Sequence, residues 1–184
     1  MGIETGTKDK GQMTNNVTKQ QAYEVPYNTS PYFGKSQKIG YHGELWAIWQ
    51  LEQLGYQARL LSNFCSAGVD ALINGVLPCE IKFSHRTAKK RRQCIYPRWQ
   101  WNVAKVDTKD RVLILIAQDT KGKKHPFVMP GAVMATRSKF EINSHPNRYG
   151  GLIKPFLGCW ETVDFLLEKR YKNSGQLQLP QWEV

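Results

Sequence analysis

Apolar positions recur through the middle of this chain with two periods, one helical and one extended. Over residues 38–54 the spacing is helical. Leu45, Ile48 and Leu51, with Trp46 and Trp49, make a broad apolar surface, and Gly55 is a natural C-terminal stop. Glu44 shares a face with Ile48 and Leu51 by the i, i+4, i+7 rule and is expected to point toward a sheet. Extended segments follow at 56–61, 68–73 and 77–84, with a loop at 62–67. Residues 111–117 are continuously apolar after Arg111, as in a strand buried on both faces. Residues 126–130 read as a short further strand, and 99–103 fits helix or strand equally. Residues 159–170 are amphipathic and helical, with cations near the end that suit the helix dipole. The Trp99 and Trp101 alternation is read as placing one indole in the core and the other outside it.

Two of these strands carry charge where a core strand should be apolar. Asp70 interrupts Gly68-Val69-Asp70-Ala71-Leu72-Ile73, and Glu80 and Lys82 interrupt Cys79-Glu80-Ile81-Lys82-Phe83. Alternation puts Glu80 and Lys82 on one face and Ile81 on the other. Two carboxylates and an ammonium are costly to desolvate unless they neutralise something, and a divalent cation with a phosphate would do so. The connecting Asn74-Gly75 invites a two-residue hairpin. That register pairs Ile73 with Val76 and Asp70 with Cys79, which sets Asp70 against the face of Glu80. Sharing a face requires an odd number of loop residues or one bulge, for which Pro78, lacking a donor, is a natural place.

An Asp on one strand followed by Glu-x-Lys on the next, after a helix that carries a Glu, resembles the PD-(D/E)XK nuclease superfamily. The ordered set is Glu44, Asp70, Glu80 and Lys82, and the match spans residues 38–118. Val69 stands where the motif's name puts Pro. The resemblance implies an α/β fold with a restriction endonuclease-like core, a mixed central β-sheet flanked by helices in the order αβββαβ. It implies a metal-dependent endodeoxyribonuclease of restriction, homing or junction-resolving type. Asp70 and Glu80 would hold Mg²⁺, or Mn²⁺ in its place, with the backbone carbonyl of Ile81, and Glu44 would serve a second metal or its water shell. Lys82 would orient and help deprotonate the attacking water, or stabilise charge on phosphorus, and Gln100 sits where relatives carry a polar residue. Two cuts in a duplex call for two active sites, so a homodimer or larger assembly is expected.

Charge adds a partner. Lys and Arg total 26 against 15 Asp and Glu, a net charge of +11, and the pI is near 9.6. This favours a polyanion, here DNA. Arg86, Lys89, Lys90, Arg91 and Arg92 follow the Glu-x-Lys strand and are candidates to grip phosphates beside the cut, against the plainer reading of a solvated loop. A catalytically silent DNA-binding module on the same fold, and a basic RNA-binding or structural protein, are the rival readings. No apolar run approaches the roughly 18 residues of a membrane span. The start is polar and lacks the apolar stretch expected of a signal peptide. The four cysteines, Cys65, Cys79, Cys94 and Cys159, form no CxxC pair, and Cys79 reads as a buried thiol. An intracellular setting, cytoplasmic or nucleoid-associated, is expected. His42, His85, His125 and His145 show no metal or HNH-type spacing, and no Gly-rich phosphate loop is present. Residues 1–36 read as a flexible polar arm whose Tyr23, Tyr27, Tyr32 and Phe33 could dock on the domain or on a partner subunit. Residues 37–172 read as the nuclease-like domain and 173–184 as a frayed tail.

Overall fold

The computed structural model describes residues 35–61, 69–91, 94–103 and 110–173. Residues 1–34 of the expected arm with its Tyr23–Phe33 aromatics, Cys65, Arg92 and all but Asn173 of the tail lie outside the described residues, while Lys35 and Ser36, read as the end of that arm, are helical. From Ile39 onward the chain clusters as one compact unit. Among the described residues no helix is long and apolar enough to cross a membrane.

Helix α1 (Lys35–Gln53) leads into strands β1 (Ala58–Leu60), β2 (Ala71–Ile73) and β3 (Leu77–His85). A hairpin of β4 (Thr87–Arg91) and β5 (Cys94–Asn102) follows. Then come β6 (Val112–Gln118), β7 (Lys124–Pro130), β8 (Lys139–Ile142) and the final helix α2 (Glu161–Asn173). The central sheet is mixed, in the order β1-β2-β3-β6-β7, and β4-β5-β8 form a second sheet. The mixed central sheet with flanking helices is as the sequence implied. The expected order αβββαβ is not: among the described residues the β4–β5 hairpin stands between β3 and β6 where that order puts a helix. The basic run and the ambiguous Trp segment are these two strands. β8 was not anticipated from the sequence.

β6 explains the layering. Six consecutive residues, Val112 to Ala117, are buried, because β6 pairs in parallel with β3 and antiparallel with β7 and both its faces are covered. Val112, Ile114 and Ile116 join Cys79, Ile81, Ala71 and Ile73 in a core closed by Ala47, Ile48 and Leu51 of α1 and Val163, Leu166 and Leu167 of α2. Leu113, Leu115 and Ala117 face the other way, into a core made with Trp99, Trp101, Phe127, Met129, Phe140 and Ile142. Trp99 and Trp101 are both buried, correcting the one-in, one-out reading: residues two apart on a strand share a face. Each indole N–H is satisfied, Trp99 Nε1 donating to the Gln118 carbonyl at 2.8 Å and Trp101 Nε1 to that of Ile116 at 3.2 Å.

The β2–β3 connection fixes the register. Ile73 pairs with Leu77, Leu72 with Pro78 and Ala71 with Cys79, so the loop is Asn74-Gly75-Val76, three residues rather than two. Asn74 and Gly75 both take positive φ, +50° and +70°, a region open to Gly and tolerated by Asn. Asn74 is held from both sides by Gln57. Its amide donates to the Gln57 carbonyl at 2.6 Å, and its side-chain oxygen accepts from the Gln57 amide at 2.9 Å. The odd loop supplies the extra residue, and Pro78 sits in regular register.

Ile114 is fully buried between α1, α2 and the strands beside it. Ile114→Ala should cost about 2–5 kcal/mol in urea unfolding, from lost transfer energy plus the cavity left. The control is Ile95→Ala, at a position 71% exposed, which should stay within about 0.5 kcal/mol of the parent. Equal losses at the two positions would contradict the layering.

Candidate active site

Asp70 lies one residue before β2, where regular pairing gives way. Its amide donates to the Cys79 carbonyl at 2.9 Å and its carbonyl accepts from Leu61 N at 2.9 Å. Its side chain then takes the place of the next rung: Ile81 N donates to Asp70 Oδ2 at 2.6 Å. A charge-assisted bond to a backbone amide fixes the carboxylate on the face that Glu80 and Lys82 share. The Ile81 group engaged with Asp70 is thus its amide.

Lys82 is the hub. Its Nζ stands 3.5 Å from Asp70 Oδ2 and 3.2 Å from Glu80 Oε1. The other Glu80 oxygen, Oε2, is 3.6 Å from Arg111 Nη1. Glu80 is almost fully buried, its side chain 2% exposed, whereas Asp70 and Lys82 are 22% and 31% exposed. The group therefore runs from the interior to the surface. Glu80 sits beside Leu113 and Lys82 beside Leu115 in the parallel ladder to β6, an apolar wall behind the charges. Burial pushes the Lys82 ammonium toward deprotonation. The Asp70 and Glu80 charges outweigh it, and the lysine titrates above its ordinary value and stays cationic. Arg111 was not singled out by the sequence. The only sign of it was a cation directly before the apolar run, next to a strand that carries a buried acid.

The lysine does not saturate Glu80. Nζ is within ion-pair distance of Oε1 but off hydrogen-bond geometry, so that buried oxygen keeps acceptor capacity. A buried carboxylate oxygen with an open lone pair, next to a second carboxylate, is the hard-oxygen donor set that Mg²⁺ or Mn²⁺ takes. The residues present fit such a cation.

Glu44 reaches the group from α1. Gly43 packs so closely on β3 that a Cβ there would come within 2.5 Å of Phe83 Cβ. That approach sets the next residue, Glu44, beside the end of β3 left open where β2 stops. Burial, then the Asp70 charge, raise the Glu44 carboxyl from 4.5 to about 7, with Lys82 partly opposing. Glu44 is therefore coupled to Asp70 and Lys82, as its position on the helix predicted. Cys79, buried beneath the site, has its thiol pushed up first by burial and then by Asp70 and Glu80, in keeping with an inert core cysteine.

Gln100 enters through its backbone, its amide donating to the Ser84 hydroxyl at 3.0 Å. Ser84 is the next residue after Glu80 and Lys82 on their face. Across the second sheet Gln100 pairs with Glu141. Arg86 is exposed just past β3. Lys89, Lys90 and Arg91 belong to β4, paired with Tyr96, Ile95 and Cys94, so the basic run is a strand of a two-stranded ribbon rather than a loop. Ile95 and Tyr96 on the ribbon are solvent-exposed. At roughly 3.3 Å per strand residue, Arg86 lies about 13 Å beyond Lys82.

The histidines hold one surprise. His125 and His145, distant in sequence, converge on Asp119, contrary to the reading that the histidines make no metal arrangement. They are not part of the Asp70 group: Asp119 follows Gln118, which pairs with His85, five residues along the ladder from Glu80.

No protein-family model matches the chain, and no curated protein matches it. Among solved structures the chain is similar to a bacterial homing endonuclease, I-Ssp6803I, with a TM-score of 0.53 at 14% identity, over 78% of this chain and 99% of that one. At that identity the likeness is one of fold: a mixed central sheet flanked by helices.

The raised Glu44 carboxyl has a consequence for stability in metal-free protein. At pH below 4.5 Glu44 is protonated folded and unfolded alike. As pH rises toward 7 the unfolded chain ionises first, so the fold loses stability that it held at low pH. Glu44→Gln removes that loss. Urea unfolding with chelator present should show the variant gaining on the parent between pH 5 and pH 8. An offset that does not change with pH would contradict the coupling.

Proposed function

We propose that this chain is a metal-dependent endodeoxyribonuclease, hydrolysing DNA phosphodiester bonds at the Asp70–Glu80–Lys82 group. The observation that carries the reading is the convergence of two carboxylates, one from β3 and one from just before β2, on one ammonium, with a buried Glu80 oxygen that keeps acceptor capacity. The fold shared with a homing endonuclease supports it. So does the net charge of +11. Whether the substrate is a specific duplex site, a branched junction or an end is for the cleavage assay to decide.

Asp70 and Glu80 would hold Mg²⁺ or Mn²⁺, with the Ile81 carbonyl as a third oxygen. When bound, the cation polarises the scissile phosphate and neutralises developing charge. The protein's own groups do the rest. Ile81 N and Arg111 hold the two carboxylates in place. Lys82, cationic and half-exposed, faces the phosphate and its attacking water. Its raised pKa makes it a poor base, so its part is to orient the water and stabilise charge on phosphorus rather than to take the proton. Glu44, coupled to Asp70 and Lys82, would accept the proton directly or through water. Gln100 would position water or phosphate beside Ser84. Arg86 and the β4 cations Lys89, Lys90 and Arg91, with Arg92, would bind phosphates flanking the cut. A two-stranded ribbon has the width to enter a major groove. Cutting both strands of a duplex then calls for two copies of the chain, a homodimer or larger, working on intracellular DNA.

The test is incubation with supercoiled plasmid, linear duplex and four-way junction DNA, with Mg²⁺, with Mn²⁺ and with chelator. Lys82→Ala should lower the cleavage rate by about 10²–10³-fold, leave the circular dichroism spectrum intact and change DNA affinity little, since binding is spread over many cations. Equal loss of binding and cleavage would make Lys82 a phosphate anchor instead. Cleavage at the parental rate would remove it from the mechanism.

The ribbon gives a separate expectation. Replacing Lys89, Lys90, Arg91 and Arg92 with Ala should weaken DNA binding and flatten its salt dependence. Each lost phosphate contact should reduce the slope of log affinity against log salt by about 0.9. An unchanged slope would return the ribbon to an ordinary solvated edge.

A further inference from the structure

We infer that Asp119, His125 and His145 form a binding site for a late first-row divalent cation, Zn²⁺ being the best match, separate from the Asp70 group. Asp119 follows β6, His125 is the second residue of β7, and His145 precedes the short turn of helix at Pro146–Arg148. One ligand atom from each lies within 4.8 Å of the other two. Asp119 Oδ2 is 3.2 Å from His125 Nε2 and 3.8 Å from His145 Nε2. Tetrahedral coordination with bonds near 2.0–2.1 Å holds ligand atoms about 3.3 Å apart, so the side chains need only small adjustments.

The surroundings are built around Asp119. Its other oxygen, Oδ1, accepts from Lys121 N at 2.8 Å and Lys123 N at 3.0 Å, which locks the carboxylate and leaves Oδ2 to the histidines. Such outer contacts orient a ligand before a metal arrives. His125 is buried at 4% exposure. Its ring meets that of His145 edge to face, with centroids 5.0 Å apart, and Trp99 packs on the far side of His145 at 6.2 Å. The His145 side chain is 41% exposed, so ions and a fourth, water ligand have access. Two imidazoles and one carboxylate favour Zn²⁺, Co²⁺ or Ni²⁺ over Mg²⁺, which prefers all-oxygen shells. His145 Nδ1 accepts from Asn147 N at 3.4 Å. A neutral imidazole ligating through Nε2 carries its proton on Nδ1, so loading gives up that long contact. The cation would clip the β6–β7 turn to the segment after β8, next to the Trp99 core.

The experiment uses full-length protein stripped with chelator, titrated with Co²⁺ and then Zn²⁺. The parent should show a saturable visible Co²⁺ band at one equivalent, lost on adding Zn²⁺, and a melting temperature that rises with log free Zn²⁺. Asp119→Asn keeps the turn-forming oxygen, and His145→Ala truncates an exposed ring. Both should fold, lose the band and weaken the Zn²⁺ response at least tenfold, while Asp70→Asn leaves it unchanged. Absence of the band and of the melting shift in the parent would overturn the site. So would persistence of both in the two variants, or their loss in Asp70→Asn. None of these readouts depends on DNA cleavage, so failure here and failure of the nuclease reading are distinguishable.

Discussion

The face that Asp70 occupies is decided in the turn at Asn74, Gly75 and Val76, four to six residues along the chain from it. With two residues in that loop, Asp70 would stand opposite Cys79 and look away from Glu80. With three, Ala71 takes the place opposite Cys79, and Asp70 comes to the face of Glu80 and Lys82. Two left-handed residues make the turn possible, and two reciprocal hydrogen bonds between Asn74 and Gln57 at the edge of β1 hold it. The Asp70 carboxylate then closes the strand pair itself by taking the Ile81 amide. A one-residue slip would undo the site while leaving the hydrophobic strands intact.

Charge balance is the second constraint. Three carboxylates, Glu44, Asp70 and Glu80, meet two cations, Lys82 and Arg111, partly out of water. The structure resolves the excess in two ways. Glu44 takes up a proton near neutral pH, and Glu80 is shared between Lys82 at Oε1 and Arg111 at Oε2. Removing either cation would strand a buried carboxylate, at a cost of about 3–5 kcal/mol. A bound divalent cation relieves the same excess, so the ligand that the site invites is also the one that would stabilise it.

Much of this was legible in the sequence. The helical spacing before Gly55 placed α1, and the unbroken apolar run placed β6 as the strand covered on both faces. The clash between Asp70, Glu80, Lys82 and their apolar neighbours marked the site, and alternation put Glu80 and Lys82 together. What escaped depended on tertiary pairing. The β4–β5 ribbon hid because its basic residues carry no alternating apolar signal. β8 hid because Lys139 to Ile142 is short and half-charged. Arg111 could be recognised as a partner only once the parallel β3–β6 register set it near Glu80. The Asp119 cluster joins residues whose separations match no metal motif, and only the β6–β7 turn and the chain after β8 bring them together.

The central claim is that the loop register creates a hard-cation site from Asp70 and Glu80. Crystals of the metal-free protein soaked in Mn²⁺ test it directly through anomalous scattering. The account predicts a peak in coordination contact with a carboxylate oxygen of Asp70 and with Oε1 of Glu80, absent from Asp70→Asn crystals soaked alike. No peak between these two carboxylates at saturating Mn²⁺, or an identical peak in the variant, would contradict it.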